Sequence, residues 1–303
     1  MKLLLVFNPQ AGNGRARALL PQVEAYMTSK GLDVDVVVTE YEGHATEIVT
    51  QANFDIYDGI IASGGDGAMF EVLNGYYKNP VVINNAPNKP PLGLIPNGTG
   101  NAFMRELGLK CTDWEKSIDI IAKNITRKID VGTFVTEGKM YYFLNIVGMG
   151  FVTQVAQASL PLKWMGNSAY TAATLLKLIS LRSQKMTVEL DGVTKVYEGI
   201  FVEVANSTYT GTTFLIAPKA KIDDGLLDVI ILKKISRIKL LKLFTSIFDG
   251  SHIHHPEIEY IHAKSVKVEI EGGSQLIPDG EILGSTPVEF TCLKQDVDFL
   301  WDK

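Results

Sequence analysis

Gly64-Gly65-Asp66-Gly67 and Asn97-Gly98-Thr99-Gly100-Asn101 carry the most readable chemistry in this chain of 303 residues. Each follows a short apolar run that reads as the end of a strand, residues 59–62 and 92–95, and each leads into a run with helical spacing. A glycine loop between a strand and a helix start exposes unpaired backbone N–H groups and the positive end of the helix dipole, which together suit a phosphate. Two such loops in one small domain point to a polyphosphate, and so to a nucleotide. Two carboxylate clusters lie further along. Asp279 and Glu281 flank Gly280, and Asp-Gly after the strand-like Leu276 and Ile277 is a favoured hairpin turn. That turn would aim both carboxylates one way, so either residue is a candidate proton acceptor in a phosphoryl transfer. Asp223-Asp224-Gly225 reads by itself as a solvated acidic turn. His252, His254 and His255 are irregularly spaced and have no Cys or carboxylate pattern beside them, so they read as surface histidines rather than a zinc site.

The elements that must position these residues alternate in the first third of the chain. Strands are expected at residues 3–7, 33–39, 56–62 and 92–95. Between them, helical spacing runs through Ala16, Leu19, Leu20, Val23 and Met27, through Ala45, Ile48, Val49 and Ala52, and through Met69, Val72, Leu73 and Tyr76. Gly31 reads as a C-cap, and Pro21 as a kink or the true helix start. Residues 102–107 and 113–125 read as further helices. Repeated β–α units predict a parallel sheet covered by helices, with ligands at the carboxyl ends of its strands. The loops at residues 8–14, 39–44, 63–67 and 97–101 should gather there. From residue 129 onward short strand-like runs dominate, at 139–146, 186–190, 195–205, 226–232, 265–270 and 288–292, divided by turn signals such as Asp191-Gly192. The expected architecture is an α/β domain over residues 1–127 and a β-rich domain with two inserted helices over residues 128–303. One inserted helix, residues 236–248, places Ile238, Leu241, Phe244, Thr245 and Phe248 on one stripe beside Lys233, Lys234, Arg237, Lys239 and Lys242. It suits either an anionic membrane surface or packing on its own domain with a solvated basic face. The helix at 168–181 raises the same question.

A formal net charge of -5 argues against a general nucleic-acid binder. Cys111 and Cys292 are the only cysteines, which fits a reducing compartment better than a disulfide-stapled secreted protein. Lys2 is followed by five apolar residues before Asn8, which is not the form of a signal peptide. No apolar run approaches the roughly 20 residues that span a bilayer. The expectation is a cytoplasmic protein, with peripheral contact to the inner face of the membrane left open. Oligomeric state stays open too, a homodimer included.

Taken together with Asn8-Pro9-Gln10-Ala11-Gly12 and with Asp223 through Asp228, the two glycine loops and Asp279-Gly280-Glu281 occur in an order and spacing that resemble the diacylglycerol kinase catalytic-domain family, whose fold NAD kinases share. That family includes bacterial lipid kinases and the sphingosine and ceramide kinases. The resemblance runs nearly end to end. It implies a nucleotide in the cleft between the domains and transfer of the γ-phosphate of ATP to a lipid hydroxyl. Diacylglycerol would give phosphatidic acid, a step of phospholipid biosynthesis; a sphingoid or ceramide-like lipid is the alternative acceptor. Nucleotide contacts carry over to Asn8, Pro9, Gln10, Ala11, Gly12, Thr39, Gly64, Gly65, Asp66, Gly67, Ala68, Met69, Phe70 and Thr99. The resemblance gives Glu281 the proton-acceptor position, with Asp279 beside it in the site. It places a structural Mg²⁺ on the Asp224 carboxylate and the backbone carbonyls of Lys221 and Leu226, hard oxygens that suit this ion. Asp66 either orders its loop or meets Mg²⁺. Ala68 stands where a Thr is usual, Phe70 where an Asn is frequent and Ala102 where an Asp often follows, and the run from Gly67 to Gly75 looks closer to the sphingosine and ceramide version. A soluble-substrate kinase of the NAD kinase type is disfavoured because its Asn-Ser-Pro and Thr-Gly-Ser-Thr segments are absent. A nucleotide- or lipid-binding homologue without activity is kept open by Ala68 and opposed by Asp279 and Glu281.

Overall fold

The β–α alternation folds as a parallel sheet in the computed structural model, which describes residues 1–12, 14–98, 100–159, 161, 169–211 and 213–302. Two compact units divide the chain, Met1–Asp130 with Gln295–Lys303, and Val131–Lys294. In the first unit the order is β1 (Lys2–Phe7), α1 (Ala16–Ser29), β2 (Asp33–Val38), α2 (His44–Gln51), β3 (Gly59–Gly64), α3 (Asp66–Lys78), α4 (Pro80–Ile83), β4 (Leu92–Pro96), α5 (Ala102–Glu106) and α6 (Trp114–Ala122). The strands lie in the order β4–β3–β1–β2, all parallel. Strands β1, β3 and β4 are buried almost throughout, because helices cover both faces of such a sheet. Phe7 and Met27 on one face and Tyr76 on another helix are at most 2% exposed, and burying a side chain of that size contributes roughly 1.5–3 kcal/mol. Helix α1 continues through Pro21, and Gly31 follows it at φ +73°. The register pairs Phe7 with Val38 and Ser63, and Ser63 with Ile95. The four strand-to-helix loops therefore leave one edge of the sheet.

The second unit is antiparallel. It contains most of β5 (Thr126–Thr136), then β6 (Lys139–Phe143), β7 (Ile146–Gly150), α7 (Phe151–Ser159), α8 (Ala169–Leu178), β8 (Gln184–Leu190) and β9 (Val193–Ala205). There follow β10 (Tyr209–Thr210), β11 (Phe214–Leu215), β12 (Leu227–Lys233), α9 (Arg237–Ser246), β13 (Ile258–Ala263), β14 (Ser265–Ile270), β15 (Leu276–Pro278) and β16 (Val288–Leu300). Its sheet runs β13–β12–β9–β8–β14–β16, with β7 also paired to β9 and β15 to β7. The tail of β16 belongs to the first unit, where Phe299 pairs in parallel with Leu92. Helices α7, α8 and α9 cover one core through Phe151, Val155, Ala173, Leu178, Leu240, Leu243 and Ile247. On α9 the buried Leu240, Leu243 and Ile247 are not the stripe picked out in the sequence, of which Phe244 packs partly against this core. Ser236 caps the helix by accepting from Lys239 N at 3.4 Å, as its position suggests. Yet Ile238, Leu241 and Phe248 are 73%, 43% and 47% exposed. No helix among the described residues is long and apolar enough to cross a membrane.

Candidate active site

In the first unit the glycine loops are stapled to one another. Asn97 N and Gly98 N donate to Gly64 O at 3.2 and 3.1 Å, and Asp66 N donates to Gly100 O at 3.2 Å. The Asp66 carboxylate accepts from Ala102 N at 2.8 Å and from Phe103 N at 3.3 Å, so it caps α5 from the neighbouring loop. Of the two roles open to Asp66, this is loop ordering. A Cβ on Gly65 would lie 2.7 Å from Gly100 O, and one on Gly98 would lie 2.5 Å from Gly65 Cα. These glycines are required by contact between the loops, before any ligand is considered. The 8–12 segment joins them. Asn8 N donates to Ser63 O at 2.9 Å, the Asn8 side chain accepts from Gln10 N at 2.9 Å, and Gly12 sits at φ +61° against Asn97 O.

The staples leave several polar groups of these loops without a partner among the described residues. The N–H groups of Gly67 and Ala68, in the first turn of α3, have no partner among the described residues. Asn97 Oδ1 and Asn101 Oδ1 are buried and likewise unpartnered there, although buried polar atoms are nearly always bonded. Thr39, half-buried, follows β2 and donates its N–H to Phe7 O at 2.9 Å. Pro9, Ala11 and Gly12 are buried, Gln10 is exposed, and Gly64 is buried while Gly65, Asp66, Gly67 and Ala68 are half-buried. Met69 and Phe70, at 2% and 8% exposure, put their side chains into the core of α3. Thr99 lies outside the described residues. Glu71 was not singled out by its sequence: its carboxylate accepts from Gly43 N at 2.9 Å and Ala45 N at 3.1 Å, fixing the 39–44 loop and the start of α2 to α3.

In the second unit Pro278-Asp279-Gly280-Glu281 is the expected tight turn. Asp279 and Gly280 have φ +46° and +94°, and Glu281 N donates to Pro278 O at 2.8 Å, the pattern of a type I′ turn. The turn parts the two carboxylates instead of aiming them together. Asp279 is 8% exposed; its Oδ1 accepts from Asn145 N and Ile146 N at 3.1 Å, and its Oδ2 from Leu144 N at 3.3 Å. Glu281 is exposed. Asp279 thus anchors its turn to the start of β7, while Glu281 projects from it.

Strand pairing relates this turn to the other acidic cluster. Ile146 pairs with Ala205, and Ala205 with Asp228, so the end of β15, the start of β7, the end of β9 and the start of β12 share one edge. Asp279 and Asp228 stand three strand spacings apart, ~14 Å. Asp279 and Asp228 therefore cannot ligate a single ion side by side. In the Asp223-Asp224 loop, Asp224 Oδ1 accepts from Leu226 N at 3.0 Å; Leu226 is half-buried and Lys221 exposed. Asp228 is 1% exposed, bonded by the Tyr260 hydroxyl and lies 3.3 Å from His262 Nδ1. Burial pushes its carboxyl up, with the nearby Asp224 charge adding to the effect. Between the clusters, Asn206 N donates to Asn145 O at 2.8 Å and Ser207 Oγ donates to Asn145 Oδ1 at 3.2 Å. Asn145, Asn206 and Ser207 had no sequence signal, being isolated small polar residues in apolar runs. His252 corrects an expectation. It is 2% exposed, its Nε2 lies 3.0 Å from Ile216 O, and burial holds its pKa below the ordinary value. No cluster of three His, Cys, Asp or Glu able to hold a metal occurs among the described residues.

An α/β unit with glycine loops at its strand ends and a β unit with an anchored acidic turn match two family models in chain order. The diacylglycerol kinase catalytic domain covers residues 2–134, and the YegS C-terminal NAD kinase beta sandwich-like domain covers residues 145–300. The chain belongs to the diacylglycerol kinase family. It is 33% identical over 306 residues to a diacylglycerol kinase of Bacillus subtilis (strain 168), covering 99% of this chain and 96% of that relative. It is 32% identical over 299 residues to a diacylglycerol kinase of Staphylococcus carnosus (strain TM300), covering 97% and 93%. A crystal structure of a putative diacylglycerol kinase from Bacillus anthracis str. Sterne superposes with a TM-score of 0.81 at 26% identity, covering 99% of this chain and 95% of that one. As a member of this kinase family the protein is a lipid kinase.

Proposed function

We propose that this lipid kinase transfers the γ-phosphate of ATP to the free hydroxyl of diacylglycerol, giving phosphatidic acid for phospholipid biosynthesis. The observation that carries the reading is the pair of unpartnered N–H groups of Gly67 and Ala68 at the positive end of α3, beneath loops that hold each other open. A triphosphate supplies the oxygens those donors lack. Asn8 through Gly12, Thr39, Gly64 through Phe70 and Thr99 form the nucleotide set, with Met69 and Phe70 contributing through backbone and core packing. Glu281 accepts the proton of the acceptor hydroxyl as its oxygen attacks the γ-phosphorus. The bond from that phosphorus to the β,γ-bridging oxygen breaks, ADP leaves, and Glu281 returns the proton to solvent. Asp279 is a positioning residue, since its carboxylate is spent on the backbone of residues 144–146. The Asp224 carboxylate with the carbonyls of Lys221 and Leu226 fits Mg²⁺: all are hard oxygens on one turn, and Leu226 N–H orients the carboxylate. Bound there, the ion would offset the acidic charge of the loop and stiffen it. ATP as donor places the reaction on the cytoplasmic side of the membrane. The test is incubation with radiolabelled ATP, Mg²⁺ and a panel of micellar lipids. Label in phosphatidic acid is expected; label in a sphingoid or ceramide product would change the acceptor, and no labelled lipid would overturn the reading.

A further inference from the structure

Glu203 is a buried acid in the second unit to which phosphoryl transfer gives no role. Directly opposite residues of an antiparallel pair project from the same face of the sheet. On β9, Glu203 lies opposite Ile230 of β12 and Gly148 of β7, and Gly148 lies opposite Ile277 of β15. Along β9 its neighbours on that face are Phe201 and Ala205, which belong with Ile230 to the core that α7, α8 and α9 cover. The carboxyl is therefore flanked on the sheet by apolar residues. Glu203 is 6% exposed, and its Oε2 is buried with no partner among the described residues. An ion is costly in such a place, and a buried polar atom is nearly always bonded. Burial pushes the carboxyl up to about 8, so near neutral pH it keeps its proton and has an O–H to donate. A Cβ on Gly148 would lie 3.6 Å from Glu203 Oε1, 2.8 Å from Val152 Cγ2 and 3.1 Å from Ile277 Cγ2. Val152 and Ile277 are both half-buried, so the apolar side chains next to the carboxyl reach the surface. Ile277 stands two strand spacings, ~10 Å, from Glu203 and directly precedes the Pro278–Glu281 turn.

We propose that Glu203 determines acceptor specificity: its O–H donates a hydrogen bond to an ester carbonyl of diacylglycerol while the free hydroxyl of the same molecule lies at Glu281. The chemistry follows from the surroundings. Apolar walls suit acyl chains, and a neutral carboxyl set among them matches an uncharged oxygen. An anionic group would find no cation among these neighbours. In diacylglycerol the ester carbonyls stand a few bonds from the reacting hydroxyl, on the acyl side. That is the order met in passing from the turn, past Ile277, to Glu203. The contact would satisfy an O–H that folding leaves unmet, and sites that bind ligands commonly carry such a cost in stability. The inference rests on the reading of diacylglycerol as the acceptor and adds to it the residue that reads its ester.

The test is steady-state kinetics of the full chain on a dispersed short-chain diacylglycerol and on the dialkylglycerol of the same length, whose ether links offer no carbonyl. The parent, E203Q and E203L are compared. Leucine fills the site without a polar atom and glutamine keeps an N–H donor, so neither strands a charge and both should melt no lower than the parent. The parent should favour the ester. In E203L, KM for diacylglycerol should rise roughly tenfold, the scale of one hydrogen bond, with kcat little changed and KM for the ether within about twofold of the parent's. E203Q should keep most of the preference. A role in folding alone would move both acceptors together. The same ester-to-ether ratio of KM in the parent and E203L overturns the contact and leaves the acceptor reading standing. So does E203Q behaving like E203L, which would assign the effect to the carboxyl and not to its donor. No phosphorylation of either glycerolipid by the parent overturns the acceptor reading, and the contact with it.

Discussion

Two carboxylates separated by one glycine behave as different chemical objects. Asp279 adopts a left-handed backbone conformation and spends both oxygens on three backbone N–H groups of residues 144–146, whereas Glu281 is exposed. Aspartate and asparagine both tolerate that conformation, so Asp279→Asn isolates the carboxylate itself. The new amide donor would face a backbone donor, at a cost of about 1–3 kcal/mol. The melting temperature should fall and activity with it. Glu281→Gln removes a proton acceptor from the surface, so kcat should fall roughly 10²-fold while melting stays at the parent value. Calorimetry and steady-state kinetics on both variants check this. A stable Asp279→Asn protein with a silent Glu281→Gln substitution would reverse the assignment of roles.

At the scale of elements, the loop after β3 and the loop after β4 form one object. Asp66 caps α5 across the gap, Gly64 O takes two N–H groups from the other loop, and the glycines permit backbone contact. A methyl on Gly98 would sit 2.5 Å from Gly65 Cα, a backbone atom held on both sides. Overpacking of that kind costs typically about 1–3 kcal/mol. Gly98→Ala should therefore lower the melting temperature in the absence of any nucleotide. An unchanged melting curve with weakened ATP binding would instead assign the glycine to ligand approach alone.

For the molecule as a whole, stability depends on pH through Glu203. It lies on β9, 6% exposed, with Oε2 unpartnered among the described residues, and burial pushes its carboxyl from an ordinary 4.5 to about 8. Between those values the unfolded chain is ionised at this position and the folded chain is not, so folding binds a proton. Stability must then fall as pH rises through the window, by about 1.4 kcal/mol per pH unit. Glu203→Gln should flatten that slope and be more stable than the parent at the upper end. Urea unfolding at several pH values across the window measures it; parallel profiles for the two proteins would show that Glu203 carries no such burden.

The β–α alternation, the glycine loops at the strand ends and the Asp279-Gly280 turn were legible in the residues because each is local. Side-chain period, missing Cβ atoms and left-handed turn residues act within a few positions of themselves. That the loops gather at one edge also follows locally, once the strands are parallel. Other features depend on partners far along the chain. Asp66 meets the backbone of Ala102 and Phe103, Asp279 meets residues 144–146, and residues 295–303 rejoin the first unit. No spacing rule encodes such pairs. Helix α9 shows the limit of periodicity itself: Ile238, Leu241 and Phe248 make one apolar stripe and Leu240, Leu243 and Ile247 another. A chain with two stripes buries the one whose shape fits the sheet beneath it, and only the packed structure chose which face was left for the outside.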